Sequence, residues 1–332
     1  MRIGDDIPVH QVMRFNELAA SRAAALAEIS PEVVHSEPGA LVLRYIEGKT
    51  FSEEDVRTQE NLECILPVIL KCHRDIPNHL RGPALMFWVF HVVRDYAGTL
   101  REGGSAHVAA LPGLLETVSE LETAVGPVDI VFGHNDLLPA NFIGAGDRIW
   151  LIDWDYAGFN SPLFDLGGLS SNSQFDTDRD DDLLGLYFER APDAALRRRF
   201  AAMKSASLLR ETLWSMVSEL RSEVDFDFGA YPADNLDRLE RAWSAGDDGA
   251  HYVSVMDLGA RSPMLGPVNR LIRSRFHDDK AHAWVKHNIE EVGQLEHLLP
   301  QLNSSGEAEP PQRAQPGDGT PHREHREAEP VH

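Results

Sequence analysis

The chain has 332 residues, enough for two domains or one large domain with appendages, and 53 acidic against 31 basic residues give it a formal net charge of −22. A surface that acidic repels phosphate backbones and anionic lipid, which argues against nucleic-acid and membrane-surface partners, while a hydrophobic fraction of 42% suffices for a buried core. Cys64 and Cys72 are the only cysteines, too few for a disulfide framework, and with no signal-peptide pattern and no apolar run of about twenty residues the expected setting is the cytoplasm, without membrane insertion.

In chain order, residues 14–28 read as an alanine- and leucine-rich helix stopped by Pro31, and residues 33–35 and 41–46 as two strands around a Glu37-Pro38-Gly39 turn, with Gly48 as a hinge. Two strands and one helix cannot close a core alone. A helix opens at Ser52, whose hydroxyl caps an acidic first turn, and Pro67 is expected to kink it. Residues 84–103 and 111–125 read as two further helices. A short β island follows, with strands at 129–132, 141–143 and 148–153 and a Gly-Ala-Gly-Asp hairpin turn at 144–147. Helices resume at Asp165, the clearest spanning 196–220. The expected organisation is a partial N-terminal lobe at 1–50, a larger lobe at 51–245, a helical extension at 246–302 and a disordered tail at 303–332, where five prolines stand among charges.

The β island carries the chemistry. An apolar strand ending at Gly133 delivers Asp136 into a loop, Asn141 follows five residues later, and Asp153 ends the next hairpin, so three oxygen-bearing side chains converge at strand ends. Phosphoryl transfer needs such a set: one carboxylate to orient the attacking hydroxyl and accept its proton, an amide oxygen and a second carboxylate to hold Mg2+ against nucleotide phosphates. The spacing matches the H-x-D-x-x-x-x-N loop and following metal aspartate of kinases.

Residues 134–141, the run Ile152, Asp153, Trp154, Asp155, Tyr156, Ala157, Gly158, and the run Pro162, Leu163, Phe164, Asp165, Leu166 resemble, in order and spacing, the aminoglycoside phosphotransferase and choline kinase superfamily. The resemblance implies an α+β, protein-kinase-like fold with a truncated N-lobe and a mainly helical C-lobe, using ATP and Mg2+. It implies Asp136 as the catalytic aspartate and Asn141 and Asp153 as metal ligands, with His134 and Asp165 holding the loop. Arg2 would be the basic residue of a strand and Glu17 its helix partner, beside a nucleotide-contacting hinge at Tyr45, Ile46 and Glu47. No phosphate-covering loop precedes Arg2, which leads to the expectation of a start further upstream, or else of impaired nucleotide handling. For Asp155, contact with metal or substrate and plain solvation stay equally open.

Downstream, residues 208–215 and Tyr231 resemble the tryptophan-bearing helix and later tyrosine of the choline kinase branch, where aromatics and an acid box a quaternary ammonium. Glu211 and Trp214 share a helix face at i, i+3. Glu211 stands where the branch often has a second tryptophan, and Ser170, Ser171 and Asn172 where it has an acid; Trp214 reads equally well as a core residue. The expected activity is ATP-dependent phosphorylation of a small cationic alcohol, choline or ethanolamine first. The alternatives are an aminoglycoside or other small-alcohol kinase, or a non-catalytic pseudokinase; a His134/Asp136 metal hydrolase explains fewer residues. Oligomeric state is left open by the sequence.

Overall fold

The computed structural model describes residues 1–221 together with Asn235 and Arg238. Tyr231, the 246–302 extension and the 303–332 tail lie outside the described residues, all of which fall in one compact unit.

The N-terminal part is a three-stranded antiparallel sheet, β1 (Arg2–Ile3), β2 (Val33–Glu37) and β3 (Ala40–Leu43), in the order β1-β3-β2 with Arg2 opposite Leu41. Helix α1 (Arg14–Leu26) starts where the Asp6 carboxylate accepts the Arg14 N–H at 2.7 Å, a negative charge at the positive helix end. Its buried Ala20, Ala23 and Ala24 let it pack closely on β2 and on α4 (Ile76–His79).

The link from this sheet to the helices passes through β4 (Lys49–Thr50), which the sequence reading missed. β4 pairs with β6 (Phe142–Ala145), and β6 with β7 (Arg148–Leu151), so the expected hinge at Gly48 runs directly into the hairpin next to Asn141. A Cβ at Gly48 would lie 2.6 Å from the Gly144 carbonyl oxygen, so only glycine allows this approach.

The Ser52 capping box closes on Asp55 as expected, but α2 (Glu53–Arg57) ends at Thr58, whose extended backbone and hydroxyl also cap α3 (Gln59–Arg74). The helical run therefore breaks at Thr58 and continues through Pro67 within α3. Cys64 is exposed on α3 and Cys72 is buried, its Sγ set 3.5 Å from the Phe132 carbonyl oxygen.

The helix read from residue 84 begins later, as α5 (Val89–Glu102). Residues 85–87 are drawn out as a strand edge instead: Phe87 N–H donates to the Phe159 carbonyl at 2.9 Å, and Phe159 N–H to the Leu85 carbonyl at 2.9 Å. Phe159 lies in β8 (Gly158–Asn160), a second unforeseen strand, which pairs antiparallel with β5 (Val131–Gly133). The β island is thus two small sheets. Helix α6 (Leu111–Val125) lies where expected, α7 (Pro162–Asn172) begins three residues before Asp165, and α8 (Thr177–Phe188) leads to α9 (Ala194–Arg221). Helix α9 is the central post of the helical part, packed by α5, α6 and α7, and its burial from Phe200 to Ser218 extends around the helix.

Candidate active site

The loop after β5 is held by Asp165 near the start of α7. Its carboxylate accepts the backbone N–H groups of His134 at 2.8 Å and Asn135 at 2.7 Å, and His73 Nε2–H from α3 at 2.9 Å. Burial opposes the charge, but the His73 hydrogen bond and these backbone donors hold the carboxyl below its ordinary range. His73 Nδ1 in turn meets the Tyr187 hydroxyl at 2.8 Å. Space here is closed: a Cβ at Gly133 would stand 2.8 Å from Asn135 Oδ1 and 3.2 Å from Asp165 Oδ2.

Asn135 takes a left-handed backbone (φ 65°) and spends its side chain on the neighbouring loop, with Nδ2 donating to the carbonyls of Tyr156 at 2.9 Å and Gly158 at 3.1 Å. His134 is fully buried against Trp154, and its Nε2–H donates to the Ile152 carbonyl at 2.9 Å. Burial lowers its pKa and keeps the ring neutral, so it ties two loops together.

Asp136 projects from this braced loop with its side chain 15% exposed. Arg210 of α9 faces it, with Nη1 at 3.7 Å from Oδ1. Burial pushes its pKa up to about 8, helped by Glu211, Asp153 and Asp155 and opposed by Arg210. Asn141 is buried and its Nδ2 donates to the Asp136 carbonyl at 2.9 Å, which fixes the amide and leaves Oδ1 as a free acceptor. Asp153 sits just beyond β7 in a left-handed conformation (φ 69°), about a third exposed, and accepts Arg2 Nη1–H at 2.9 Å.

Arg2 and Glu17 meet as the sequence pairing requires, with Nε 3.5 Å from Oε1. The cluster around them is larger than expected. Arg2 also contacts Asp155, and Arg14 Nη1 lies 2.7 Å from Glu17 Oε2 and 2.9 Å from Asp155 Oδ1. Asp155, for which the sequence left metal or substrate contact and plain solvation open, is paired here with the N-terminal arginines. Its pKa is pushed up to about 7 by burial and by Asp153. A cavity of about 320 Å³ opens between the N-terminal sheet and α1 with Arg2, Arg14 and Glu17 in its wall. Tyr45, Ile46 and Glu47 form the link between β3 and β4, with Tyr45 87% exposed.

On α9, Glu211 contacts Arg210, and Trp214 Nε1–H donates to the Tyr156 hydroxyl at 3.1 Å. His10 packs 5.5 Å from the Trp214 ring, and burial lowers its pKa to about 4, so it too is neutral. A cavity of about 420 Å³ among α7, α8 and α9 includes Ser170 and Ser171 but none of the residues above. Arg14, His73 and Arg210 were not singled out from sequence. Of the three only Arg210 carries a sequence signal, a charge set in a run of buried neighbours on α9.

The sequence model of the choline/ethanolamine kinase family matches residues 4–181, across the catalytic loop, Asp153 and Asp165. The chain belongs to the choline/ethanolamine kinase family. This kinase, a phosphotransferase with an alcohol acceptor, is 26% identical to protein LicA of Haemophilus influenzae over 229 residues, which cover 67% of the chain and 84% of LicA. It is 26% identical to mouse ethanolamine kinase 2 over 246 residues, 66% of the chain and 63% of that protein. Among solved structures it resembles a choline/ethanolamine kinase family protein of Mesorhizobium loti, 28% identical with a TM-score of 0.62 over 79% of the chain and 85% of that structure. The fold of choline kinase LicA from Streptococcus pneumoniae is also shared, at 22% identity and a TM-score of 0.59 over 71% of the chain and 82% of that structure. The kinase has the protein-kinase-like fold of these relatives. None of the helices among the described residues is long and apolar enough to cross a membrane.

Proposed function

We propose that this kinase transfers the γ-phosphate of ATP to the hydroxyl of a small amino alcohol, with choline or ethanolamine as acceptor and Asp136 as the group that orients the hydroxyl and takes its proton. The observation that carries this reading is the arrangement of Asp136: a carboxylate with no hydrogen bond among the described residues, on a loop whose other polar groups are tied down, with Asn141 locked to its own carbonyl. A general base needs a fixed position and a free oxygen.

The donors fit Mg2+. Asn141 Oδ1 and the Asp153 oxygen not engaged by Arg2 are hard ligands, and Mg2+ bound by one or two side chains completes its shell with water and phosphate oxygens. When bound, the ion neutralises charge on the nucleotide phosphates. Arg2 and Arg14, which line the 320 Å³ cavity, would take the phosphates, and the backbone at Tyr45, Ile46 and Glu47 the base. Glu211, Trp214 and Tyr231 would form the acceptor's ammonium site, the aromatic faces drawing the cation and the acid balancing its charge.

The test is Mg2+-dependent ATP turnover against choline, ethanolamine and an aminoglycoside, with Asp136→Asn alongside. Loss of a base acting in the transition state costs roughly 100- to 10,000-fold in kcat. Full turnover by Asp136→Asn would remove the mechanism, and turnover of the aminoglycoside alone would move the acceptor to the polycationic sugars.

A further inference from the structure

Between Phe200 and Ser218 every buried position of α9 is apolar or a small neutral residue except Arg210, which is 2% exposed. Its guanidinium lies over the Tyr156 ring, 4.2 Å from the centroid, and 5.6 Å from the centroid of Phe87. Nε and Nη2 have no hydrogen-bond partner among the described residues. Nη1 alone meets acids: it contacts Glu211 Oε1 and stands 3.7 Å from Asp136 Oδ1. Burying an arginine with two of its three nitrogens unpaired is unfavourable, and an apolar side chain of similar volume would fill the slot at lower cost. Packing of α9 therefore does not account for the residue.

Its placement does. Among the described residues Arg210 is the one cation that touches both the acid on the catalytic loop and the acid on the acceptor side. Its own position is referenced to that loop through Tyr156, whose ring it stacks on, whose carbonyl accepts Asn135 Nδ2–H at 2.9 Å, and whose hydroxyl accepts Trp214 Nε1–H at 3.1 Å. Without a cation between them, two carboxylates in a partly buried pocket repel and drift apart.

We infer that Arg210 is a positioning residue that sets the span between Asp136, at the acceptor's hydroxyl, and Glu211, at its ammonium, so that the kinase selects amino alcohols by the length of chain between nitrogen and oxygen. The inference rests on the roles proposed above for Asp136 and Glu211. Lysine cannot substitute fully, because it lacks the planar face that stacks on Tyr156 and holds the charge in place.

The experiment compares kcat and KM for the two-carbon and three-carbon members of the acceptor series that the wild type turns over, ethanolamine and 3-aminopropanol or choline and its three-carbon homologue, at saturating MgATP. A misplacement of about 1 Å at a reacting group costs on the order of 100-fold in rate, so the wild type should prefer one length by at least about tenfold. Arg210→Met should lower kcat by more than about tenfold and bring the length preference below about threefold, with KM for ATP within about twofold of wild type. Arg210→Lys should recover part of kcat but little of the preference. A purely structural residue would alter melting temperature and active fraction and leave the preference unchanged.

A folded Arg210→Met with wild-type kcat and length preference overturns the inference, as does a wild type indifferent to length. If Arg210→Met does not fold, the paired variant Arg210→Met with Glu211→Gln removes both charges together, and retention of the preference there overturns it equally. Asp136→Asn separates the two layers: an active Asp136→Asn defeats the proposed mechanism whatever Arg210 does, whereas an inactive one beside an unchanged Arg210→Met defeats the inference alone. Turnover of neither series overturns the reading and the inference with it.

Discussion

Asp155 and Asp165 stand ten residues apart, both buried, and meet opposite surroundings. Asp165 is held by two backbone N–H groups and a buried histidine, all fixed by the chain around them. Asp155 is held by Arg2 and Arg14, guanidiniums on long stems from the N-terminal strand and the first turn of α1, with Asp153 and Glu17 crowding the same space. The first arrangement is a fixed brace. The second is a set of charges that can be re-paired when an anion such as a nucleotide phosphate arrives, because each arginine can exchange a carboxylate for a phosphate oxygen at little cost.

Substitution at the brace should do the most damage. Asp165→Asn sets an amide N–H against a backbone N–H and removes the charge facing His73, and should cost about 3 kcal/mol in urea unfolding, with turnover lost in step. A loss of activity with unchanged stability would show that Asp165 does more than brace. The re-pairable cluster should behave the other way round. Arg14→Met should cost less stability than Asp165→Asn, since Arg14 is itself 20% exposed and Arg2 still faces Glu17 and Asp155, yet raise KM for ATP roughly tenfold, the worth of one charge-assisted hydrogen bond. A KM unchanged by this substitution would place Arg14 outside the nucleotide site.

The smallest expected effects lie in the pH dependence, and their signs differ. The Asp165 pKa is held below its ordinary value of 3.8, so its contribution is present in full above about pH 4 and is lost only as pH falls through the folded value. The Asp155 pKa is raised from 3.8 to about 7, so the native state holds its proton more tightly than the unfolded chain and stability falls as pH climbs between those values. The stability difference between wild type and Asp155→Asn should therefore shrink from pH 4 to pH 7, while that between wild type and Asp165→Asn stays level. Parallel curves would mean that the two acids are held alike.

The same contrast explains what the sequence made legible. Asp136, Asn141, Asp153 and Asp165 lie within thirty residues on strand ends and helix starts whose spacing can be counted, so local geometry brings them together. Arg14 meets Asp155 across 141 positions and His73 meets Asp165 across 92, separations that no local pattern spans. Arg210 had a sequence signal, a charge inside an otherwise apolar helix face, but Glu211 and Trp214 beside it matched a family pattern and drew the reading to themselves. The missed strands have another cause. β4 has two residues and β8 three, too short for alternation to register, and residues 85–87 are apolar enough to pass for the first turn of α5 until their backbone is seen bonded to Phe159.

Cys72 gives the molecule a built-in gauge. Its thiol rests against the carbonyl of Phe132, one residue before Gly133 opens the catalytic loop, and burial pushes its pKa well up, so a thiol reagent reaches it only when that floor opens. Cys64, exposed on the same helix, reacts in the closed molecule and serves as the internal reference. Timed alkylation of the unaltered chain, read as the ratio of the two labels, would thus follow the opening of the ground beneath Asp136, with no probe added and no residue replaced.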